Sequence, residues 1–139
     1  MNNSLNELFL EITNRCLQKC IHCSSVASCK GNDKLSLSII RNLIETVLPY
    51  GLERVYISGG EPFLHEEFTS IIEYLTHKLL NVSIYTCGVY LGKDGNLTSI
   101  PQELLSYVAK RNVKRLIFSL HTANPQTYSL ISGVSGTYD

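Results

Sequence analysis

Apolar residues recur along the chain in two alternating rhythms. Residues 5–13 hold a nearly continuous run, Leu8, Phe9, Leu10 and Ile12, which predicts a strand buried on both faces. Leu37, Ile40, Leu43, Ile44, Val47 and Leu48 then fall at spacings of three and four. They form one face of a helix, capped by Ser36 or Ser38 and closed by Pro49 and Gly51. Residues 55–58 read as a second short strand ahead of the turn Gly59-Gly60-Glu61-Pro62. A second helix is expected over 65–80, with Phe68, Ile71, Ile72, Leu75 and Leu79 inward and Asn81 at its end. Residues 82–86 form a third strand, followed by Cys87-Gly88, and 91–96 read as a solvated loop. Ser99 and Pro101 open a third helix, the proline sitting where its missing N–H does no harm. Its buried stripe is Ile100, Leu104, Leu105 and Val108, and Asn112 ends it. Residues 115–119 form a fourth strand.

Strands alternating with helices at this spacing predict an α/β fold with right-handed crossovers and a parallel sheet. Each unusual turn follows a strand. A cysteine-rich loop follows the first, Gly-Gly-Glu-Pro the second, Thr86-Cys87-Gly88 the third and Ser119-Leu120-His121 the fourth. In a parallel sheet these points share one edge, where α/β proteins build their sites.

Composition narrows the picture. The chain has 139 residues, a hydrophobic fraction of 44% and a formal net charge of zero. That suits one packed domain and gives no electrostatic case for nucleic acid or an anionic membrane. No apolar run reaches the ~18 residues that span a bilayer, and the first residues lack the features of a secretory signal. A cytoplasmic location is expected. Thiols stay reduced there, which favours metal binding over disulfides for clustered cysteines.

Cys16, Cys20 and Cys23 stand at spacings of four and three. Three thiolates can hold three irons of a cubane cluster and leave the fourth open. Arg15, Lys19 and Lys30 are cations able to offset the thiolate charge. Zinc is an alternative, with Cys29 a better fourth ligand than His22, which adjoins Cys23; a disulfide or plain packing also remains open. In Gly59-Gly60-Glu61-Pro62 the glycines allow close approach to the backbone, and carbonyls beside a carboxylate suit an ammonium. The same turn also serves simply to lead a strand into a helix.

The Cys-x-x-x-Cys-x-x-Cys loop after the first strand, with Gly-Gly-Glu-Pro after the second, resembles the signatures of the radical S-adenosylmethionine (radical SAM) enzymes. The resemblance runs over 8–139. It implies a partial (β/α)6 TIM-like barrel, with about four strands and three helices present. It implies that Cys16, Cys20 and Cys23 ligate a 4Fe–4S cluster whose open iron is chelated by S-adenosylmethionine. Gly59, Gly60 and Glu61 would receive the methionine ammonium, His22 would lie beside the adenine, and Thr86 and Ser119 would make polar contacts to the cofactor. The implied reaction is reductive cleavage to methionine and a 5′-deoxyadenosyl radical, which takes hydrogen from an unknown small-molecule or peptide substrate. An electron donor such as flavodoxin or ferredoxin is implied as partner.

Two positions depart from the common pattern. Cys87 stands where many relatives have asparagine and reads as a small buried residue. His121 stands where many have aspartate; it faces substrate as an acid or base, or is a surface or packed histidine. His65 and His77 are read as surface residues without chemistry. Residues 131–139 resemble the segment that opens a fourth helix in the family, so 1–139 is expected to be the N-terminal part of a core domain. Taken alone, such a half barrel is expected to be marginally stable and prone to associate. A remnant that binds only a cluster, and a zinc-binding interaction domain, are the competing readings.

Overall fold

The computed structural model describes residues 5–135. Its centre is a four-stranded sheet in the order β1 (Glu7–Thr13), β2 (Arg54–Gly59), β3 (Asn81–Thr86), β6 (Arg115–Phe118), parallel throughout. Helices α1 (Leu37–Val47), α2 (Phe68–His77) and α3 (Gln102–Lys110) make the crossovers, as the alternation predicts. A short hairpin of β4 (Val89–Leu91) and β5 (Leu97–Ser99) precedes α3, and α4 (Pro125–Ser132) follows β6. This is the α/β architecture of a partial TIM-like barrel. No helix among the described residues is long and apolar enough to cross a membrane.

The core lies between the sheet and its crossover helices. Leu10, Ile12, Val55, Ile57, Val82 and Ile84 meet Ile40 and Ile44 of α1, Ile71, Ile72 and Leu75 of α2, and Val108 of α3. Truncating one of these isoleucines to alanine costs about 2–5 kcal/mol. Ser36 caps α1, its hydroxyl accepting from Ile39 N–H.

Several elements differ from the sequence expectation. The first strand is buried on one face only. Successive side chains alternate across a strand, so Leu10 and Ile12 enter the core while Phe9, 62% exposed, stacks on Tyr56 across the other face at 4.3 Å. Helix α2 is shorter than 65–80. A turn of tighter helix, Pro62–Leu64, leads into it, and it ends before Leu79, which adopts a left-handed φ of 60° and is 89% exposed. Leu80 takes the inward place and Asn81 begins β3 rather than ending the helix. The expected loop at 91–96 is the tip of the β4–β5 hairpin, whose three-residue strands are too short to show a period.

Helix α4 raises the helix count from the expected three to four among the described residues. Its signals are local: Asn124 caps it by accepting from Thr127 N–H at 2.9 Å, Pro125 opens it, and Gly133 closes it in the left-handed region. The helix expected to open within 131–139 falls partly outside the described residues; Ile131 and Ser132 themselves end α4.

Candidate functional site

The cysteine loop leaves the C-terminal end of β1 and is pinned at its base. Asn14 N–H donates to Asp33 O, Cys16 N–H to Ser28 O, and Ser28 N–H back to Asn14 O, each at 3.0 Å. The far side of the loop is held by α4. Lys19 N–H donates to Ser132 O at 2.8 Å and Ile21 N–H to Ile131 O at 3.0 Å. Cys16 is buried, Cys20 and Cys23 are half-buried and Cys29 is exposed. Backbone N–H groups of Gln18 and Ala27 lie 3.5 Å from the sulfurs of Cys16 and Cys23.

The three cysteines line one open hollow of about 720 Å³, its mouth included. Gly59 at the end of β2 with Gly60 next to it, Thr86 at the end of β3 and Ser119 after β6 line it too, as do His22 and His121. The sheet edge therefore brings the predicted turns together, as parallel topology requires. His22 and His121 meet edge to face, ring centres 4.4 Å apart. Glu11, Gln18 and Tyr85 are among the lining residues that escaped the sequence reading. For Glu11 the signal was strand alternation, since it follows Phe9 on the face opposite Leu10 and Ile12.

Glu61 is the one predicted site residue that does not line the hollow. It is fully buried behind it. Its carboxylate accepts from the Thr86 hydroxyl, from Cys87 N–H at 2.8 Å, from the Cys87 thiol at 3.0 Å and from Phe63 N–H at 3.3 Å. Burial pushes its carboxyl above the usual range against the pull of these hydrogen bonds. Cys87 is thus more than a small packed residue. Contact with Cys16, burial and the Glu61 carboxylate keep the proton on its thiol well above the ordinary range. That contact lowers Cys16 to about 7, whereas burial, with Cys16 and Cys23 beside it, raises Cys20.

The two glycines are required by chain packing. A Cβ on Gly59, whose φ is 125°, would lie 2.3 Å from Thr13 O, and one on Gly60 would lie 2.2 Å from Arg15 O. Gly60 N–H and Glu61 N–H donate to those same carbonyls at 2.6 and 2.8 Å. The turn after β2 is so bound to the start of the cysteine loop.

His65 differs from the surface residue expected. It is buried, its Nδ1 accepting from Glu67 N–H at 3.0 Å and its Nε2 donating to Leu35 O at 3.1 Å. Desolvation lowers its pKa.

The donor set suits an iron–sulfur cluster with an open iron. Three soft sulfurs face one hollow, two of them near backbone N–H donors. Beyond them lie glycine backbone, two imidazoles and polar strand ends, which suit a polar organic cofactor. Cys29, the proposed fourth zinc ligand, does not line the hollow. Among the described residues, no three histidine, cysteine, aspartate or glutamate side chains stand close enough to share a single ion.

A parallel half-barrel with a three-cysteine loop at its rim defines the class of α/β domain, and comparison with known proteins makes it specific. The chain belongs to the radical SAM superfamily, whose sequence profile matches residues 10–139. A GTP 3′,8-cyclase of Clostridium acetobutylicum is 32% identical over 136 residues, covering 93% of this chain and 39% of that protein. A probable GTP 3′,8-cyclase of Methanocaldococcus jannaschii is 27% identical over 130 residues, covering 92% and 40%. The chain thus spans about two fifths of the length of these curated relatives. Among solved structures, Streptococcus suis SuiB bound to S-adenosylmethionine superimposes with a TM-score of 0.76 at 17% identity, covering 96% of this chain and 29% of that one. BtrN in complex with AdoMet and 2-DOIA gives 0.67 at 17% identity, covering 99% and 55%. These likenesses speak to the fold.

Proposed function

We propose that this chain is the cofactor-binding part of a radical SAM enzyme, with Cys16, Cys20 and Cys23 ligating a 4Fe–4S cluster and the strand-end turns holding S-adenosylmethionine. The carrying observation is the convergence of the three thiols, the Gly59–Gly60 backbone, Thr86 and Ser119 on one hollow. Bound there, the pair supplies reductive cleavage of the cofactor's carbon–sulfur bond and hydrogen abstraction from a substrate.

The chain's own residues bind and shield. Gly59 and Gly60 offer close backbone to the methionine ammonium, with the Glu61 charge directly behind. A direct contact between Glu61 and that ammonium needs the Cys87 thiol to leave Oε2. His22, steadied by His121, offers a flat ring to the adenine. Ser119 offers a hydroxyl at the end of β6, and Thr86 acts through Glu61. The names of the curated relatives, GTP 3′,8-cyclases, support a purine nucleotide as substrate class. The reductant we infer from the family resemblance alone is a small electron-transfer protein such as flavodoxin or ferredoxin. On this reading the chain is part of a radical SAM core domain acting in the cytoplasm.

The test is anaerobic loading with iron and sulfide, then reduction with S-adenosylmethionine present. The reading expects iron and sulfide bound in equal amounts and release of methionine and 5′-deoxyadenosine. Zinc retained in place of iron would overturn it. A loaded chain that releases neither product would leave the cluster-binding remnant as the better description.

A further inference from the structure

Gln18 is the unusual residue of the cysteine loop. In a loop whose other residues, Cys16 apart, are exposed or half-buried, Gln18 is 3% exposed, and so is Tyr128 of α4, 110 residues away. The amide of Gln18 is held between two groups. Its Nε2 donates to the Tyr128 hydroxyl at 3.0 Å, and its Oε1 accepts from the Cys20 thiol at 3.5 Å. The loop does not need this contact to stay on α4, because Lys19 and Ile21 already bond to Ser132 and Ile131 through backbone alone.

The arrangement fits a protonated Cys20 only. A cysteine that ligates iron is a thiolate and has no proton to give. The Gln18 carbonyl would then face a negative sulfur, acceptor against acceptor. A half-turn of the amide removes the conflict without moving its heavy-atom framework, because oxygen and nitrogen simply exchange places. The NH2 then points at the Cys20 sulfur, and Oε1 accepts from the Tyr128 hydroxyl, which donates as readily as it accepts.

We propose that Gln18 is a positioning residue for the cluster: its amide, oriented by the Tyr128 hydroxyl, donates a hydrogen bond to the ligating sulfur of Cys20 and raises the cluster's reduction potential. The inference rests on the cluster reading above. Hydrogen bonds to the sulfurs help to set the potential of such clusters. The reduced cluster carries one more negative charge than the oxidised one, so a donor aimed at sulfur favours the reduced form. The contact also makes α4, far along the chain, part of the electronic environment of the N-terminal loop.

The test uses the 139-residue chain, loaded anaerobically with ferrous iron and sulfide, beside Gln18→Met, Tyr128→Phe and the double variant. Met keeps the length of the side chain without an amide, and Phe keeps the ring without the hydroxyl. Iron per chain is measured first, and the midpoint is then read by electron paramagnetic resonance during a potentiometric titration. The expected result is near-equal iron in all four, a lower midpoint in each single variant, and a double variant no lower than Gln18→Met, because the hydroxyl acts through the amide. Unchanged midpoints in fully loaded variants would overturn the proposal, as would additive shifts. Iron loss with an unchanged midpoint in the clusters that do form would mark a merely structural contact and also overturn it. Failure of the unsubstituted chain to take up iron would overturn the cluster reading itself, and this inference with it.

Discussion

The Thr86 hydroxyl lies 2.8 and 2.9 Å from the two carboxylate oxygens of Glu61. It ties the end of β3 to the turn after β2 and helps keep a buried charge satisfied. The same hydroxyl oxygen accepts from Gly88 N–H at 2.9 Å, which turns the chain away from the site. Thr86 and Cys87 thus hold one carboxylate directly, and Gly88 reaches it through the Thr86 hydroxyl.

Thr86→Val keeps the shape and removes the hydroxyl. It leaves Glu61 short of one donor and Gly88 N–H short of its acceptor, and should destabilise the chain by about 1–3 kcal/mol. Thr86→Ser should recover most of that. Urea unfolding followed by circular dichroism measures both, and a Val variant as stable as the parent would contradict the role given to this hydroxyl.

His65 makes stability depend on pH. Its neutral ring accepts at Nδ1 and donates at Nε2, and protonation would set a second donor against Glu67 N–H. Because burial lowers its pKa in the folded chain, its contribution is complete above the ordinary histidine value of about 6.5 and is lost as pH falls from there through the lower folded value. Glu66, Glu67 and Lys34 are the charges beside it. The melting temperatures of the parent and His65→Gln, compared from pH 8 down to 5, should converge on the acid side. Parallel curves would show that this histidine does not titrate with unfolding.

Gly60→Ala pushes a methyl group into backbone, against Arg15 O at 2.2 Å. The atoms it meets, the Arg15 carbonyl and Asn14 C, are all backbone, so the turn and the loop base must separate. We expect a loss of about 1–3 kcal/mol, the range for overpacking, together with lost S-adenosylmethionine binding by calorimetry. Unchanged binding would place the cofactor away from this turn.

The exposed and buried thiols should separate cleanly by metal content. Cys29→Ala should load iron as the parent does, because Cys29 does not line the hollow. Cys16→Ala, Cys20→Ala and Cys23→Ala should each lose most of it. An iron-to-protein ratio that falls on loss of Cys29 would return the fourth-ligand reading to contention.

Much of this was legible in the sequence wherever the signal is local and repeated. The faces of α1 and α2 show in Ile40, Ile44, Ile71, Ile72 and Leu75, because several helical turns carry the period. Leu79 continues that period four residues after Leu75 yet lies past the helix end, so the reading ran on through it. Three-residue strands carry no period, so the β4–β5 hairpin read as loop. Helix α4 was signalled by Asn124-Pro125 and Gly133, but its apolar stripe is weak. At the site, cysteine spacing and the double glycine are contiguous and showed plainly. The direction of a side chain did not. Nothing local says that Glu61 turns inward to Thr86 and Cys87, that His65 is buried, or that Gln18 meets Tyr128 from the other end of the chain.

The most direct measurement is electron paramagnetic resonance of the anaerobically loaded, reduced chain, with and without S-adenosylmethionine. The account predicts about four irons per chain, as one cubane requires, and a spectrum that changes when the cofactor is added, because an open iron accepts it as a ligand. A fully loaded cluster whose spectrum ignores S-adenosylmethionine would contradict the claim that this hollow holds both.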